Sequence, residues 1–252
     1  MNSSVKNIRV GDIFKTNNHG EVVVISVKNC NDITVSFLNH PFEKIVSSKS
    51  LRNGRIRNPY NPAVKGVGYV GVGIHSTTIN RQYTDSYRAW NSMLARCYCE
   101  KYALGNGNYS DVTVCDEWHN FQNFAEWYTN HEFYGMGYHL DKDLIVEGNK
   151  IYSPDNCCLV PREINLILCD RRSDRGDLPI GVSFDKVRRK YGSKVSMNGD
   201  IVFLGRYETP EEAHKAYVVA KEAHVKRRAE HWKPLISKRV YDSLLKWRVG
   251  DD

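Results

Sequence analysis

Between Gly181 and His224 the hydrophobic period changes once, and that change leaves the segment few ways to fold. Three β-rich runs come first: GVSFDK from Gly181, YGSKVSM from Tyr191 and DIVFLGRY from Asp200. Asn198-Gly199 separates the last two, and such a pair favours a two-residue hairpin because both residues tolerate positive φ. The period then lengthens in TPEEAHKAYVVAKEAH. Thr209 suits the N-cap, Pro210 the first helical position, and Glu211 and Glu212 the positive end of the helix dipole. Ala213, Ala216, Tyr217 and Ala220 form a narrow apolar stripe, whose small residues let a helix lie close to a sheet. The expectation is a three-stranded sheet backed by one helix.

The strand period of two then assigns faces. Val195 and Met197 are placed to meet the helix, so Lys194 and Ser196 point away from it. Arg188, Arg189 and Lys190 fall at the preceding turn. One face is therefore polar and cationic, and a sheet of this width fits the major groove of DNA. Lysine and arginine supply phosphate contacts, and arginine also reads guanine. Charge agrees: residues 178–252 hold 16 Lys and Arg against 10 Asp and Glu, which is +6 of the chain's net +7. The stretch HVKRRAEHWKPLISKRVYDSLLKWR adds Lys226, Arg227, Arg228, Lys233, Lys238 and Arg239 as phosphate contacts, or as a solvated helix face.

The same run, with NG followed by LGRYETPEEAHKAY, resembles an AP2-type DNA-binding domain over about 45 residues. The resemblance implies a sheet that reads the major groove. By position it makes Ser183, Lys186, Arg188, Tyr191, Lys194, Ser196 and Arg206 the groove-facing candidates, with Arg189 and Lys190 beside them. Tyr191 stands where a tryptophan is usual, and Gly192 and Ser196 where basic residues are common. These departures bear on the preferred DNA sequence.

Length allows one large or two to three small domains. From Val5 to about Val70, EVVVISVKN and ITVSFLN read as β-branched strands, and Asn53-Gly54 as a tight turn. This predicts a small β-barrel of SH3-like size over residues 1–75. NPYNPAVKGVGYVGVG follows as an irregular connector. It contains glycines but no clear helix follows, so it is a weak dinucleotide motif. Helical spacing then places Tyr87, Trp90, Met93, Leu94 and Cys97 on one face, with Asp85 or Ser86 as the cap. Phe121, Phe124, Trp127 and Tyr128 form a second aromatic face.

HLDKDLIVEGNKIYSPDNCCLVPREINLIL reads strand, loop, strand, helix, with Pro161 suited to the first helical position. It is similar over about 30 residues to the ββα pattern of HNH nucleases. There a strand histidine activates water, and a metal held by a neighbouring Asp and a helix Asn or His stabilises the leaving oxygen. Asp141 matches the strand acid, Asn156 the central Asn and Asn165 the metal-side residue. Lys142 stands where the general base is expected, and a lysine is a poor base near neutral pH. His139 lies three residues earlier, so an ideal strand points it to the opposite face from Lys142. The catalytic candidates are thus His139, Asp141, Lys142, Asn156 and Asn165, in a degenerate arrangement. Asp141 and Asn165 are the metal candidates if cleavage is retained.

Together these segments resemble phage-type HNH/AP2 proteins of the homing-endonuclease kind, some of which lose cleavage and serve as repressors. The expected class is α+β, with a barrel at 1–75, a helical region with the ββα core at 80–172 and the DNA-binding domain at 178–252. CDRRSDRGDLP, around Cys169–Pro179, is the expected linker. The expected partner is double-stranded DNA, and a regulator would favour a homodimer on a palindrome, although no heptad is evident. No cofactor is expected of a repressor; Mg or Mn is expected of a nuclease. A structural protein with an incidental basic surface is the third class. No run of 18 apolar residues predicts a membrane span, and MNSSVKNIRVGDIF lacks a secretory pattern. The seven cysteines fit a reducing compartment, and the resemblance implies the cytoplasm of a bacterial host. Cys97, Cys99, Cys115, His119, Cys157 and Cys158 have C-x-C and C-x₃-H spacings rather than a zinc knuckle, so core cysteine is expected.

Overall fold

The computed structural model describes residues 7–40, 42–100, 111–168 and 177–250. The chain divides into two compact units, one of residues 1–94 and 116–126, the other of residues 95–115 and 127–252. It is mixed α and β, with several small sheets.

In the first unit, β1 (Ile13–Lys15), β2 (Glu21–Asn29), β3 (Asp32–Phe37) and β4 (Glu43–Val46) pair antiparallel in sequence order. Alternation puts Val22, Val24, Ile33, Val35 and Phe37 on one face, each at most 2% exposed. Helix α1 (Ser48–Arg52), capped by the Ser47 hydroxyl, brings Leu51 onto that face, and Ile8 and Ile56 complete the cluster. The barrel expected here does not close: β1 and β4 are the two edges of an open sheet. The edge strands have only three and four residues, and α1 takes up the apolar face.

The glycine-rich connector is a packing device. A Cβ on Gly68 would lie 2.4 Å from Leu94 and 2.8 Å from Trp90; one on Gly71 would lie 2.2 Å from Asn120 Oδ1. Those glycines let backbone run against side chains, and the pair of strands β5 (Thr78–Ile79) and β6 (Gln82–Tyr83) follows. Helix α2 (Asp85–Tyr98) starts from Thr84, whose Oγ1 accepts the Tyr87 N–H at 3.3 Å, one residue before the expected caps. Trp90, Trp118, Phe121 and Phe124 are fully buried, and Trp90 Nε1 donates to the Trp118 carbonyl at 2.7 Å. Helix α3 (Phe121–Asn130) supplies the two phenylalanines.

The second unit holds β7 (Thr113–Val114) parallel to β9 (Ile151–Tyr152), and β8 (His139–Asp141) antiparallel to β10 (Cys158–Val160), followed by α4 (Arg162–Leu168). Residues 169–176 of the expected linker lie outside the described residues. Next come β11 (Val182–Asp185), β12 (Lys190–Met197) and β13 (Asp200–Tyr207) in antiparallel order, then α5 (Pro210–Trp232) and α6 (Lys238–Lys246). Thr209 Oγ1 accepts the Glu212 N–H at 3.2 Å while Glu212 reaches back to the Thr209 N–H, a capping box contributing about 0.5–2 kcal/mol.

Helix α5 serves two cores. Its first half buries Ala213 and Tyr217 behind the sheet, where Ser193 and Val195 are also buried. Its second half carries Val225 and Ala229 into a cluster with Val160, Ile164, Val240 and Leu244. The sequence stripe ended near His224, yet the helix runs on to Trp232. KRRAEH has high helix propensity, and Pro234 lies just beyond the end. Among the described residues no helix is long and apolar enough to cross a membrane.

Candidate nucleic-acid interface

With α5 behind it, the C-terminal sheet presents its other face to solvent. Ser183, Gly192 and Arg206 form one cross-strand row; Lys194 stands opposite Phe203, and Ser196 opposite Ile201. Ser183, Lys194, Ser196 and Arg206 are exposed. So are Phe203 and Ile201, at 48% and 75%. The register slips between Ser193 and Lys194, which makes Leu204 an extra residue on β13. On an ideal strand Phe203 and Arg206 would face opposite ways. The bulge puts them on one face, and the Arg206 guanidinium lies over the Phe203 ring at 5.0 Å.

Asp185 organises the edge of this face. Its Oδ1 accepts the N–H groups of Val187 and Arg188 at 3.1 Å, and its Oδ2 accepts from Arg188 and from Arg206 Nε, both at 3.2 Å. The Arg188 backbone N–H, ahead of the two guanidinium groups, holds the Asp185 carboxyl below its ordinary value. Arg206 is thus held by one nitrogen and by a ring, while its terminal nitrogens make no bond among the described residues.

The remaining sequence candidates divide. Lys186, Arg188 and Arg189 are exposed in the β11–β12 turn, with Arg189 at φ +52°. Lys190 is drawn to Glu208 at 2.7 Å. Tyr191 shares the strand parity of buried Ser193 and Val195, and its ring lies 5.0 Å from Phe184; it is not on the Lys194 face. Lys226 is half-buried, and Arg227 lies 3.7 Å from Met197 Sδ, which shares the parity of Val195. Arg228 is turned inward: its Nη2 donates to Glu163 Oε2 at 2.6 Å, and Trp232 Nε1 donates to the same oxygen at 3.1 Å. That pair ties α5 to α4 and engages the Arg228 guanidinium, a phosphate-contact candidate, within the fold. Phe203, Ile201 and Asp185 were missed from sequence. Exposed aromatic and aliphatic residues at period two were the available signal.

In the ββα segment, strand alternation places His139 and Asp141 together and Lys142 apart. Lys142 is 8% exposed; its Nζ donates to Asp143 Oδ2 at 2.8 Å and to the Asn149 carbonyl at 3.0 Å. It is a loop anchor. Asn149 Nδ2 donates to the carbonyls of Lys142 and Ile151, and its Oδ1 accepts from Asn156 Nδ2 at 3.1 Å. Asn149, not named from sequence, is thus the centre of that loop. Asp141 Oδ1 accepts the N–H groups of Asp143 at 3.1 Å and Leu144 at 2.8 Å. Burial, then the Asp143 charge, pushes the Asp141 carboxyl up. Asn165 Nδ2 and His139 Nδ1 meet at 3.4 Å, joining α4 to β8. Burial, then the nearby Arg162 and Arg96 charges, lowers the His139 pKa, so the imidazole is neutral at pH 7.

Among the described residues no group of three or more His, Cys, Asp or Glu side chains is placed to hold a metal ion. Of the Asp141 carboxylate, Oδ1 is engaged by two N–H groups. Burial pushes the thiols of Cys97 and Cys157 up to about 11 and about 12, which suits packing rather than thiolate chemistry.

His19, His131, His139 and His224 all have pKa values lowered chiefly by burial. Each binds a proton less readily when folded than unfolded. As pH falls below the ordinary value of 6.5, the unfolded chain therefore takes up more protons, and stability drops. Thermal melts should show a lower midpoint at pH 5.5 than at pH 7.5, and His224→Gln should narrow the difference. An unchanged midpoint would contradict this assignment.

Compared with protein-family models, curated proteins and solved structures, the chain matches none.

Proposed function

We propose that the chain binds double-stranded DNA sequence-specifically through the outer face of β11–β13 and acts as a transcriptional repressor. In this reading it descends from the HNH/AP2 homing-endonuclease-like proteins it resembles, with β11–β13 and α5 as the AP2-like part and β8–α4 as the HNH-like part. One observation carries the reading. Lys194 and Arg206 stand with Ser183 and Ser196 on a single uncovered sheet face, while α5 fills the other. Basic groups there meet phosphates, and a sheet of three strands offers side chains to base edges. Lys142 in the base position supports loss of cleavage, because its ammonium is engaged within its own loop.

The second reading is a metal-dependent nuclease, favoured by one contact: neutral His139 beside Asn165. His139 is the group there suited to accept a proton from water, and a bound Mg or Mn would stabilise the leaving oxygen.

Footprinting of the purified chain on genomic fragments should give a discrete protected site, lost as salt rises. Plasmid incubated with Mg or Mn should stay intact. Cleavage abolished by His139→Ala or Asn165→Ala would replace the repressor with the nuclease. Absence of any salt-sensitive, sequence-preferring shift would remove both and leave an incidental basic surface.

A further inference from the structure

In the first unit a cleft of about 810 Å³ opens beside β4 and the turn after α1. His19, Phe42, Lys44, Arg57, Asn58 and Tyr69 are on its walls, which include no Asp or Glu among the described residues. Two of its polar atoms, Asn58 Nδ2 and His19 Nδ1, are buried without a hydrogen-bond partner.

Asn58 is the sharpest case. It is only 4% exposed, and its Oδ1 accepts the Tyr60 N–H at 2.9 Å. Its Nδ2 is buried with no hydrogen-bond partner. Buried amide groups are almost always satisfied, so an oxygen acceptor in the cleft would complete the site. His19 Nδ1 is likewise buried and unpartnered. Lys44 and Arg57 form no ion pair among the described residues; Lys44 Nζ reaches only the Arg57 carbonyl, at 3.4 Å. Burial and then the charges of Arg57 and Lys44 lower the His19 pKa, so both cations face the same wall.

Aromatic rings continue that wall. Tyr60 stacks on His40 at 4.4 Å, Phe42 meets Tyr60 edge-on at 5.4 Å, and Tyr69 lies 5.8 Å from Tyr60. The cleft thus pairs cations and an unsatisfied amide with ring faces. We infer that it binds a nucleotide, with the phosphate against Lys44, Arg57 and Asn58 Nδ2 and the planar base against Phe42 and Tyr69. A cleft of this size accommodates a ligand of that class. Two sources share the chemistry: a free nucleotide, and one nucleotide of an unpaired strand. The site is independent of the duplex-binding reading, because it uses other residues in the other unit.

The test uses the full chain carrying Lys194→Ala and Arg206→Ala, so that the sheet face does not contribute. Calorimetric titration with dAMP, with (dT)6 and with inorganic phosphate is compared at low and moderate salt. Either dAMP or (dT)6 should bind saturably, about tenfold or more tighter than phosphate, because stacking on a ring adds to charge. Binding of dAMP identifies a free nucleotide; binding of (dT)6 with dAMP at the phosphate level identifies an unpaired strand. Adding the exposed pair Lys44→Ala and Arg57→Ala should weaken binding about tenfold or more and flatten its salt dependence. Asn58→Ala should weaken it several-fold; if its melting curve shows unfolding, the Lys44 and Arg57 pair decides. No saturable binding, binding of both dAMP and (dT)6 no tighter than that of phosphate, or binding indifferent to Lys44→Ala with Arg57→Ala would each overturn the inference.

Discussion

Replacing Arg206 by alanine should weaken binding to the preferred duplex by about 5- to 150-fold, the equivalent of about 1–3 kcal/mol for one bidentate base contact. The loss should be confined to one base pair: a duplex altered there should bind the variant as well as the original does. The reason is the way the side chain is held. Asp185 takes Nε and the Phe203 ring supports the guanidinium plane, which leaves the terminal fork free and already oriented. Gly192, opposite Arg206 in the strand register, adds no side chain to the row between it and Ser183. Little rotamer freedom remains to be lost on binding, which favours a specific contact over a diffuse one. Arg206→Lys should fail to restore discrimination, because an ammonium has no planar fork. Lys194→Ala should behave differently, weakening all duplexes alike and lowering the salt slope by about one. If Arg206→Ala instead weakens every duplex equally, Arg206 meets phosphate and another residue reads the bases.

The difference between Arg206 and Lys194 marks how far the sequence could be read. Local periodicity was legible. Val195 and Met197 alternate with Lys194 and Ser196, and that parity assigned the outer face of β12 correctly, with Lys194 and Ser196 exposed. The cap at Thr209 was legible for the same reason, since its partners lie within four residues. What escaped depends on insertions or on distance along the chain. One bulged residue at Leu204 reverses parity along β13, and no short pattern announces it. Asp185 gathers Arg206 from 21 positions away. His139 meets Asn165 across 26 positions, a contact that only the pairing of β8 with β10 creates. The second half of α5 lacked a strong apolar stripe, so its place in the core with Val160 and Leu244 could not be seen. The open N-terminal sheet is a related case: alternation gave the buried face of β2 and β3, but not what would cover it.

Gly181→Ala should destabilise the second unit by about 2–5 kcal/mol, made up of about 1–2 for the backbone and about 1–3 for overpacking. The Val182 N–H bonds to the Pro179 carbonyl at 3.1 Å, and Gly181 has φ +79° at the third position of that turn. This is a type II arrangement, which calls for glycine there. A Cβ would also sit 2.1 Å from Tyr217 Cδ2 and 2.4 Å from Cγ, inside the ring. Tyr217 is 6% exposed behind the sheet, so the ring has little room to yield. Gly199→Ala separates the two causes. Gly199 has φ +93° with nothing within 4 Å of a Cβ, so it incurs backbone strain alone and should cost about 1–2 kcal/mol. Chemical denaturation of both variants measures the difference, which is the contribution of Tyr217. The effect should reach DNA binding, because the Gly181 carbonyl accepts the Lys194 N–H at 2.8 Å and the turn leads into β11, which carries Ser183 and Asp185. A Gly181→Ala protein as stable as Gly199→Ala would mean that α5 does not pack against this turn, and the backing that exposes the cationic face would be lost with it.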